Sequence, residues 1–278
     1  MPWSLSSPTT RTWLAAVNDR RACSFGDVAH VRVGIKTNAD EVFARDDWDT
    51  LPKESRPETD LLRPLITHHI ADRWTAKNAS APQKRVLYPH QEAPDGSRRT
   101  IDLSEYPRAQ AYLRQHRQRL EARQYLIDAG RAWYEIWVPQ QPRDWSQPKI
   151  VYPDISEYPK FFLDTTGAVV NGDCYWITVN RGLSAQWLVL IMAVANSTFI
   201  TSYYDTLFHN KLYAGRRRFM TQYVREFPLP SIDGAESRRI IEILTQTSSH
   251  DMKVGDDLEK ELDRLVWCSF GLRKEPVG

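Results

Sequence analysis

Apolar residues recur at helical spacing near the N-terminus, and Trp13, Leu14 and Val17 fall on one side of a predicted helix over residues 10–21. Over 27–45 the apolar positions come in short bursts around Gly34, which predicts a strand, a turn and a second strand. Residues 49–60 are polar and carry Pro52 and Pro57, hence a loop. Leu61 to Trp74 is mixed, Lys77 to Pro82 reads as a mobile surface loop, Arg85 to Tyr88 as a strand and Pro89 to Ser97 as a further loop. Pro107 stands where the first helical residue would be, ahead of a long arginine-rich helix from Ala109 to Asp128. Gln140 to Pro148 breaks the pattern. Lys149–Tyr152, Lys160–Asp164 and Cys174–Val179 then read as strands of one sheet, the last two separated by the turn chemistry of Asn171-Gly172-Asp173. Leu183–Asn196 and Phe199–Phe208 predict two helices, Pro228 and Pro230 end an extended segment, and residues 235–248 and 256–270 predict closing helices, the last stopped at Gly271. The expected fold is α+β: a curled, mostly antiparallel sheet with helices packed on it and a helical C-terminal portion.

Charge sharpens this picture. The chain of 278 residues has 37 basic and 35 acidic residues, so its total does not announce a polyanion ligand. Its distribution says more. From His209 to Arg225 there are five positive charges and no acid, and from Arg108 to Arg123 five arginines face one glutamate, Glu121. Asp251 to Arg264 instead holds six acids and three bases. A basic surface separated from an acidic one can bind phosphate despite a near-zero sum. The density of 10 Trp and 12 Tyr suits a core, and equally base stacking and interfaces. Trp133, Trp137, Trp176 and Trp187 are assigned to the core. Cys23, Cys174 and Cys268 are too far apart for a CxxC or an even disulfide framework, which points to a reducing cytoplasm. Trp187 to Ala195 is the longest apolar run and is too short to span a bilayer, so no membrane is expected.

Several chemistries cannot be drawn on this chain. No two of its 12 glycines are spaced as GxG, so neither a dinucleotide loop nor a glycine-rich S-adenosylmethionine loop exists, and no P-loop or GxSxG elbow occurs. No Pro-Pro dipeptide occurs, which excludes the Asn/Asp-Pro-Pro-Tyr loop with which amino-methyltransferases grip a target amine. Pro94-Asp95 and Pro153-Asp154 lack the downstream carboxylate and lysine of a metal-dependent nuclease. His68 and His69 are adjacent, so their side chains diverge, and no cysteine is near to complete a zinc site. No catalytic, cofactor-binding or metal-ligating residue is therefore assigned.

Four segments in order resemble one family. They are Val33-Gly34-Ile35-Lys36-Thr37 with Asp40 and Val42-Phe43; Lys149 to Ile155 with Phe162, Asp164 and Asn171 to Ile177; Ala195-Asn196-Ser197 with Lys211 to Phe219 and Phe227 to Pro230; and Glu261 to Val266 with Phe270-Gly271-Leu272. Together they resemble the TaqI-like C-terminal specificity domain of adenine-N6 DNA methyltransferases and fused type IIG restriction enzymes, from about Cys23 to Leu272. Two departures fall on turns: Ala214-Gly215 replaces the usual Gly-Gly, and Thr37-Asn38 the usual Thr-Gly. The resemblance implies a target-recognition domain over 23–231, a helical lead-in over 1–22 and a helical segment over 232–278. It also implies recognition of double-stranded DNA, with methyl transfer and S-adenosylmethionine on an absent catalytic domain, or on a separate methyltransferase or restriction subunit.

The candidate DNA contacts are Lys36, Thr37 and Asn38 on the turn after Gly34; His68, His69 and Arg73 as a strip; and Lys211, Tyr213, Arg216, Arg217, Arg218 and Arg225 in the acid-free run. Consecutive arginines cannot all enter a core, and as ligands they would clamp phosphates or read guanine edges. The dull readings are a solvated basic turn, ordinary turn chemistry and a surface strip beside a core Trp74. The alternative function is a protein-interaction module, or an inactive remnant of a restriction-modification enzyme, that binds no DNA itself.

Overall fold

The computed structural model describes residues 8–77, 84–208, 212–247 and 254–273. At its centre lies the strand Lys149–Pro153, all five residues of which are buried. It is flanked in an antiparallel sheet by Phe162–Asp164 on one side and by Cys174–Val179 on the other, with Ala29–Val33 forming the far edge. Consecutive strand residues point to opposite faces, so an unbroken buried strand must have a core on each side. Ile150, Tyr152 and Ile177 enter one core, while Val151, Cys174 and Trp176 enter the other.

The first core is helical. The helices Gln186–Asn196, Thr198–Leu207, Ala235–Thr247 and Asp256–Ser269, with the N-terminal helix Pro8–Arg20, cover one face of the sheet. Gln186–Asn196 is buried from Leu190 to Asn196, which explains why its pattern is apolar rather than amphipathic. Ser197 then breaks and restarts the chain: its hydroxyl accepts from Ile200 N at 3.2 Å and caps the next helix. The two helices are bent by 69° there, and among the described residues no single helix is long and apolar enough to cross a membrane. Asp263 of the last helix accepts from Thr198 N and so pins the closing helix to this break.

The second core is mixed. A smaller sheet runs Val169–Val170, Leu62–Ile66, Arg85–Leu87, Ala44–Arg45, with its first pair parallel and the others antiparallel. Trp48, Trp145, Trp176 and Tyr88 fill the space between this sheet and the central one. The mixed α+β class and the mostly antiparallel pairing agree with the expectation from sequence. Of the tryptophans assigned to the core, Trp176 is buried, whereas Trp133, Trp137 and Trp187 are half-buried at its margin.

Three local expectations are corrected. The second strand expected within 27–45 is mainly a single helical turn, Asp40–Phe43, because the Thr37 hydroxyl bonds both Asp40 and the amide of Ala39. The long helix from Ala109 to Asp128 is three short ones, Pro107–Gln115, Arg117–Glu121 and Gln124–Asp128. Arg123 sets the second break. Its buried guanidinium turns inward and donates to the carbonyls of Thr37 at 2.8 Å, Trp133 at 2.7 Å and Glu135 at 3.0 Å. The loop expected over Pro89–Ser97 contains half of a hairpin, His90–Glu92 paired with Arg98–Thr100 around Gly96. Most of the expected loop from Lys77 to Pro82 lies outside the described residues.

Candidate nucleic-acid interface

The site begins at a chain crossing. Gly34 passes over Val170 and Asn171 so closely that a Cβ would coincide with their carbonyl groups, and a Cβ on Gly172 would stand 2.7 Å from the Ile35 carbonyl oxygen. Glycine is needed at both positions for close backbone approach rather than for a special φ. Ile35 N donates to Val170 O at 2.7 Å and Gly34 N to Cys174 O at 2.9 Å, which locks the crossing. Its product is the placement of Lys36, exposed, beside Gly172 and Asp173.

From Asp173 a rim of polar groups follows the end of the central sheet. His68 Nδ1 lies 2.5 Å from Asp173 Oδ2, and the exposed His69 ring sits against it with centroids 3.9 Å apart. Asp154 N donates to Asp173 O at 3.0 Å, and Arg218 Nε lies 3.1 Å from the Asp154 carboxylate. Arg218 pairs in register with Ile155, whose side chain is exposed, and the neighbouring Tyr158 is exposed too. Beyond Arg218 the chain doubles back at Tyr213–Arg216, where Ala214 and Gly215 both take left-handed φ values of 56° and 70°. Two such residues in the centre of a four-residue turn make the primed geometry of tight hairpins. Ala214 adopts it in place of the usual glycine. The turn thrusts Tyr213 outward to 80% exposure, and the Arg216 guanidinium covers its ring at 5.8 Å.

The predicted residues separate into three groups. Lys36, His68, His69, Tyr213, Arg216 and Arg218 are brought to this rim, and Asn38 stands close by with φ 53° and its Nδ2 donating to Tyr125 Oη at 2.7 Å. Arg225 is exposed on the turn after Thr221–Val224, where its backbone carbonyl accepts from Gly26 N. Two residues are placed elsewhere. Thr37 is 1% exposed and spends its hydroxyl on Asp40 and the Ala39 amide at the start of the helical turn. Arg73 binds Glu259 and the Asn196 carbonyl, tying the mixed core to the closing helix. Lys211 lies outside the described residues.

The acid-free run does not form one uniform cationic surface. Asp205 grips Arg217 through two hydrogen bonds of 2.7 Å, and Asp154 partners Arg218. Both carboxylates come from segments outside the run, so a count of charges along 209–225 could not register them. Arg216 and Arg225 have no carboxylate partner among the described residues. Sequence reasoning also left Ile155 and Tyr158 out of the candidate contacts, though their exposed apolar faces adjoin the rim; the available signals were their position after Pro153-Asp154 and the place of Ile155 in the second family-like segment.

At the opposite end of the same sheet a cleft of about 560 Å³ opens between the edge strand and residues 142–147. His30, Arg32, Arg143 and Arg181 line it, against the single carboxylate of Asp144. None of these residues carries a motif.

Residues 97–229 match the TaqI-like C-terminal specificity domain. That span holds three of the four central strands and the Tyr213–Arg225 segment, while Lys36 and His68 come from the sequence before it. The chain is similar to the type II methyltransferase M.BanIII of Aneurinibacillus aneurinilyticus, at 38% identity over 98% of this chain and 47% of that protein. It is also similar to M.BstVI of Geobacillus stearothermophilus, at 24% identity over 82% of this chain and 38% of that protein. The chain thus spans half or less of the length of these relatives. In fold it is similar to the type IIL restriction-modification enzyme MmeI, solved in complex with DNA, with a TM-score of 0.62 at 14% identity over 93% of this chain and 35% of that one. A second solved structure, the type IIG restriction endonuclease BpuSI, gives a TM-score of 0.53 at 13% identity over 94% of this chain and 33% of that one.

Proposed function

We propose, from the premise that residues 97–229 belong to the TaqI-like C-terminal specificity domain family, that this chain recognises a short sequence in double-stranded DNA. It would do so as the target-recognition part of an adenine-N6 methyltransferase of the restriction-modification type. The observation that carries the reading is the Tyr213–Arg216 turn. It holds an exposed aromatic ring and a guanidinium with no carboxylate partner among the described residues at the tip of a tight turn, on a rim shared with Lys36 and His69. Such a tip suits insertion into a groove, where arginine can pair bidentately with guanine O6 and N7. Arg225 and Lys36 would hold phosphates and fix register rather than read bases. Recognition is assigned to 23–231, and the helices outside that span brace the sheet.

Methyl transfer is assigned to sequence other than these residues. S-adenosylmethionine carries a sulfonium cation, and the arginine-lined cleft does not suit it. No step through that cofactor is drawn on this chain. With a catalytic domain in place, the target adenine would be flipped out of the stack toward it.

The test is selection of bound duplexes from a random pool by the purified chain, followed by sequencing. Enrichment of one motif is expected, and Arg216→Ala should relax the preference at one position by about 1–3 kcal/mol. Retention of the pool without enrichment, or no retention, refutes sequence recognition. The protein-interaction alternative predicts the second result.

A further inference from the structure

We infer that the cleft at the far end of the edge strand is a second, sequence-independent contact for the DNA backbone, where phosphodiester oxygens are held by Arg143 and Arg181. The inference rests on the reading of the chain as a DNA-recognition module, and it adds a site that lies outside the rim.

The cleft's chemistry is that of an anion site. Three arginines and His30 face one carboxylate across about 560 Å³. That carboxylate is already engaged: Asp144 Oδ2 accepts from Arg32 Nη1 at 3.1 Å, and the Arg32 guanidinium also lies 5.1 Å above the ring of Trp176. Arg32 is thereby fixed as part of the floor. Arg143 and Arg181 are exposed at the walls, where the carboxylate paired with Arg143 among the described residues is the same Asp144, at 4.0 Å from its Nε, while its Nη1 lies beside Gly96 on the side of Glu92. Their charge is left for a ligand. Apart from the His30 imidazole the lining offers no exposed aromatic ring, for Trp176 is buried beneath Arg32. Guanidinium groups dominate the cleft, so the part of a nucleic acid it suits best is the phosphate, and a phosphate contact carries no sequence information.

Position points to the same duplex. The chain runs from His30 in the cleft to Lys36 on the rim, and residues 138–147 run alongside: Val138 pairs with Lys36, Gln140 Nε2 donates to Val33 O, and Asp144 holds Arg32. Six extended residues cover about 20 Å. Along one DNA strand that is about six phosphates, at roughly 3.4 Å of axis each. The cleft would then lie about half a turn of duplex outside the bases read at the rim.

The experiment is a salt titration of duplex binding by the 278-residue chain, comparing wild type, Arg143→Ala/Arg181→Ala and Arg143→Lys/Arg181→Lys. The alanine pair should lower the slope of log Kd against log salt by about two, weaken binding roughly tenfold for every sequence tested, and leave the selected motif unchanged. The lysine pair should keep the wild-type slope, and shortening the duplex by about six base pairs on one flank should abolish the difference between wild type and the alanine pair. An unchanged slope in an alanine pair of unchanged melting temperature overturns the cleft while leaving recognition at the rim intact. Loss of poly-glutamate binding without loss of duplex binding would mark the cleft as a protein contact and overturn the proposal. If the wild-type chain binds no duplex, both the cleft and the recognition reading fall.

Discussion

The central sheet has two faces, and they are held by different physics. On the helical face the contacts are mainly apolar and aromatic, with Asp263 as a polar pin at the helix break: Phe199 stacks on Phe270 with centroids 4.2 Å apart and meets Trp267 edge-on at 5.4 Å. On the mixed face the elements are strands of two to five residues and helices of no more than nine, and buried polar groups set their places. Lys149 is fully buried and donates to Asp164 Oδ2 at 2.6 Å and to Trp145 O at 2.9 Å. Burial pushes the Lys149 ammonium below its ordinary value, while Asp164 pulls it back up. Arg123 gathers carbonyls from the Lys36–Asn38 turn and from residues 133–135. His90 accepts from Ile136 N at 3.1 Å beneath the hairpin. Apolar burial is non-directional and suits helices that carry their own hydrogen bonds. Irregular backbone that must present a particular rim needs directional partners, and the Lys36–His68 side of the candidate interface grows from the face that has them, whereas Arg217 and Arg218 are held by Asp205 and Tyr204 of the helix Thr198–Leu207.

The largest effects should come from the anchors themselves. Lys149→Met leaves Asp164 buried and uncompensated, and urea unfolding should show a loss of about 3–5 kcal/mol. Adding Asp164→Leu should recover most of it, because two apolar groups replace the pair. Failure of the second change to rescue would mean that the pair is not the source of the loss. Phe199→Ala on the other face should cost about 3–5 kcal/mol, with no partner substitution able to restore it.

Acid should act on the mixed face in particular. Burial, with repulsion from Arg98 and Arg131, holds the His90 imidazole down to about 3, against an ordinary value of 6.5. The unfolded chain therefore takes up a proton that the folded chain refuses. His90 favours folding fully above about 6.5, and that advantage is lost as pH falls toward 3, at up to roughly 1.4 kcal/mol per pH unit. Unfolding free energies at ~pH 7 and ~pH 4 should converge for His90→Gln relative to wild type, while Phe199→Ala should track wild type in its pH dependence. Parallel profiles for wild type and His90→Gln would remove His90 from the list of acid-sensitive anchors.

The smallest effect falls at the rim. Ala214 sits at φ 56°, where glycine is unstrained, so Ala214→Gly should stabilise by about 0.5–1 kcal/mol or be neutral. Destabilisation by that change would show that the turn is not left-handed at this position.

Much of this fold was legible residue by residue. The apolar runs Lys149–Tyr152 and Cys174–Val179 and the Asn171-Gly172-Asp173 turn declare themselves, because strand preference and turn chemistry are local. The break at Arg123 was not legible: an arginine amid helix-formers reads as surface until the carbonyls it will meet are known. At the site, the sequence marked Lys36, His68, Tyr213 and Arg216, all of which reach the rim. It could not tell Thr37, a buried brace of the Ala39 amide, or Arg73, a tie to Glu259, from their exposed neighbours.

By itself, then, the amino-acid order determined the strands of the central sheet, the turn glycines, the absence of a glycine-rich loop and the resemblance to TaqI-like specificity domains that residues 97–229 bear out. The tertiary structure alone decided which cations keep their charge for a ligand. Asp205 and Asp154 arrive at Arg217 and Arg218 from other segments, while no carboxylate among the described residues reaches Arg216 or Arg225 and only one faces the arginines of the cleft. Ion pairing acts over a few ångströms of space, and distance in space is what a linear order of residues leaves unspecified.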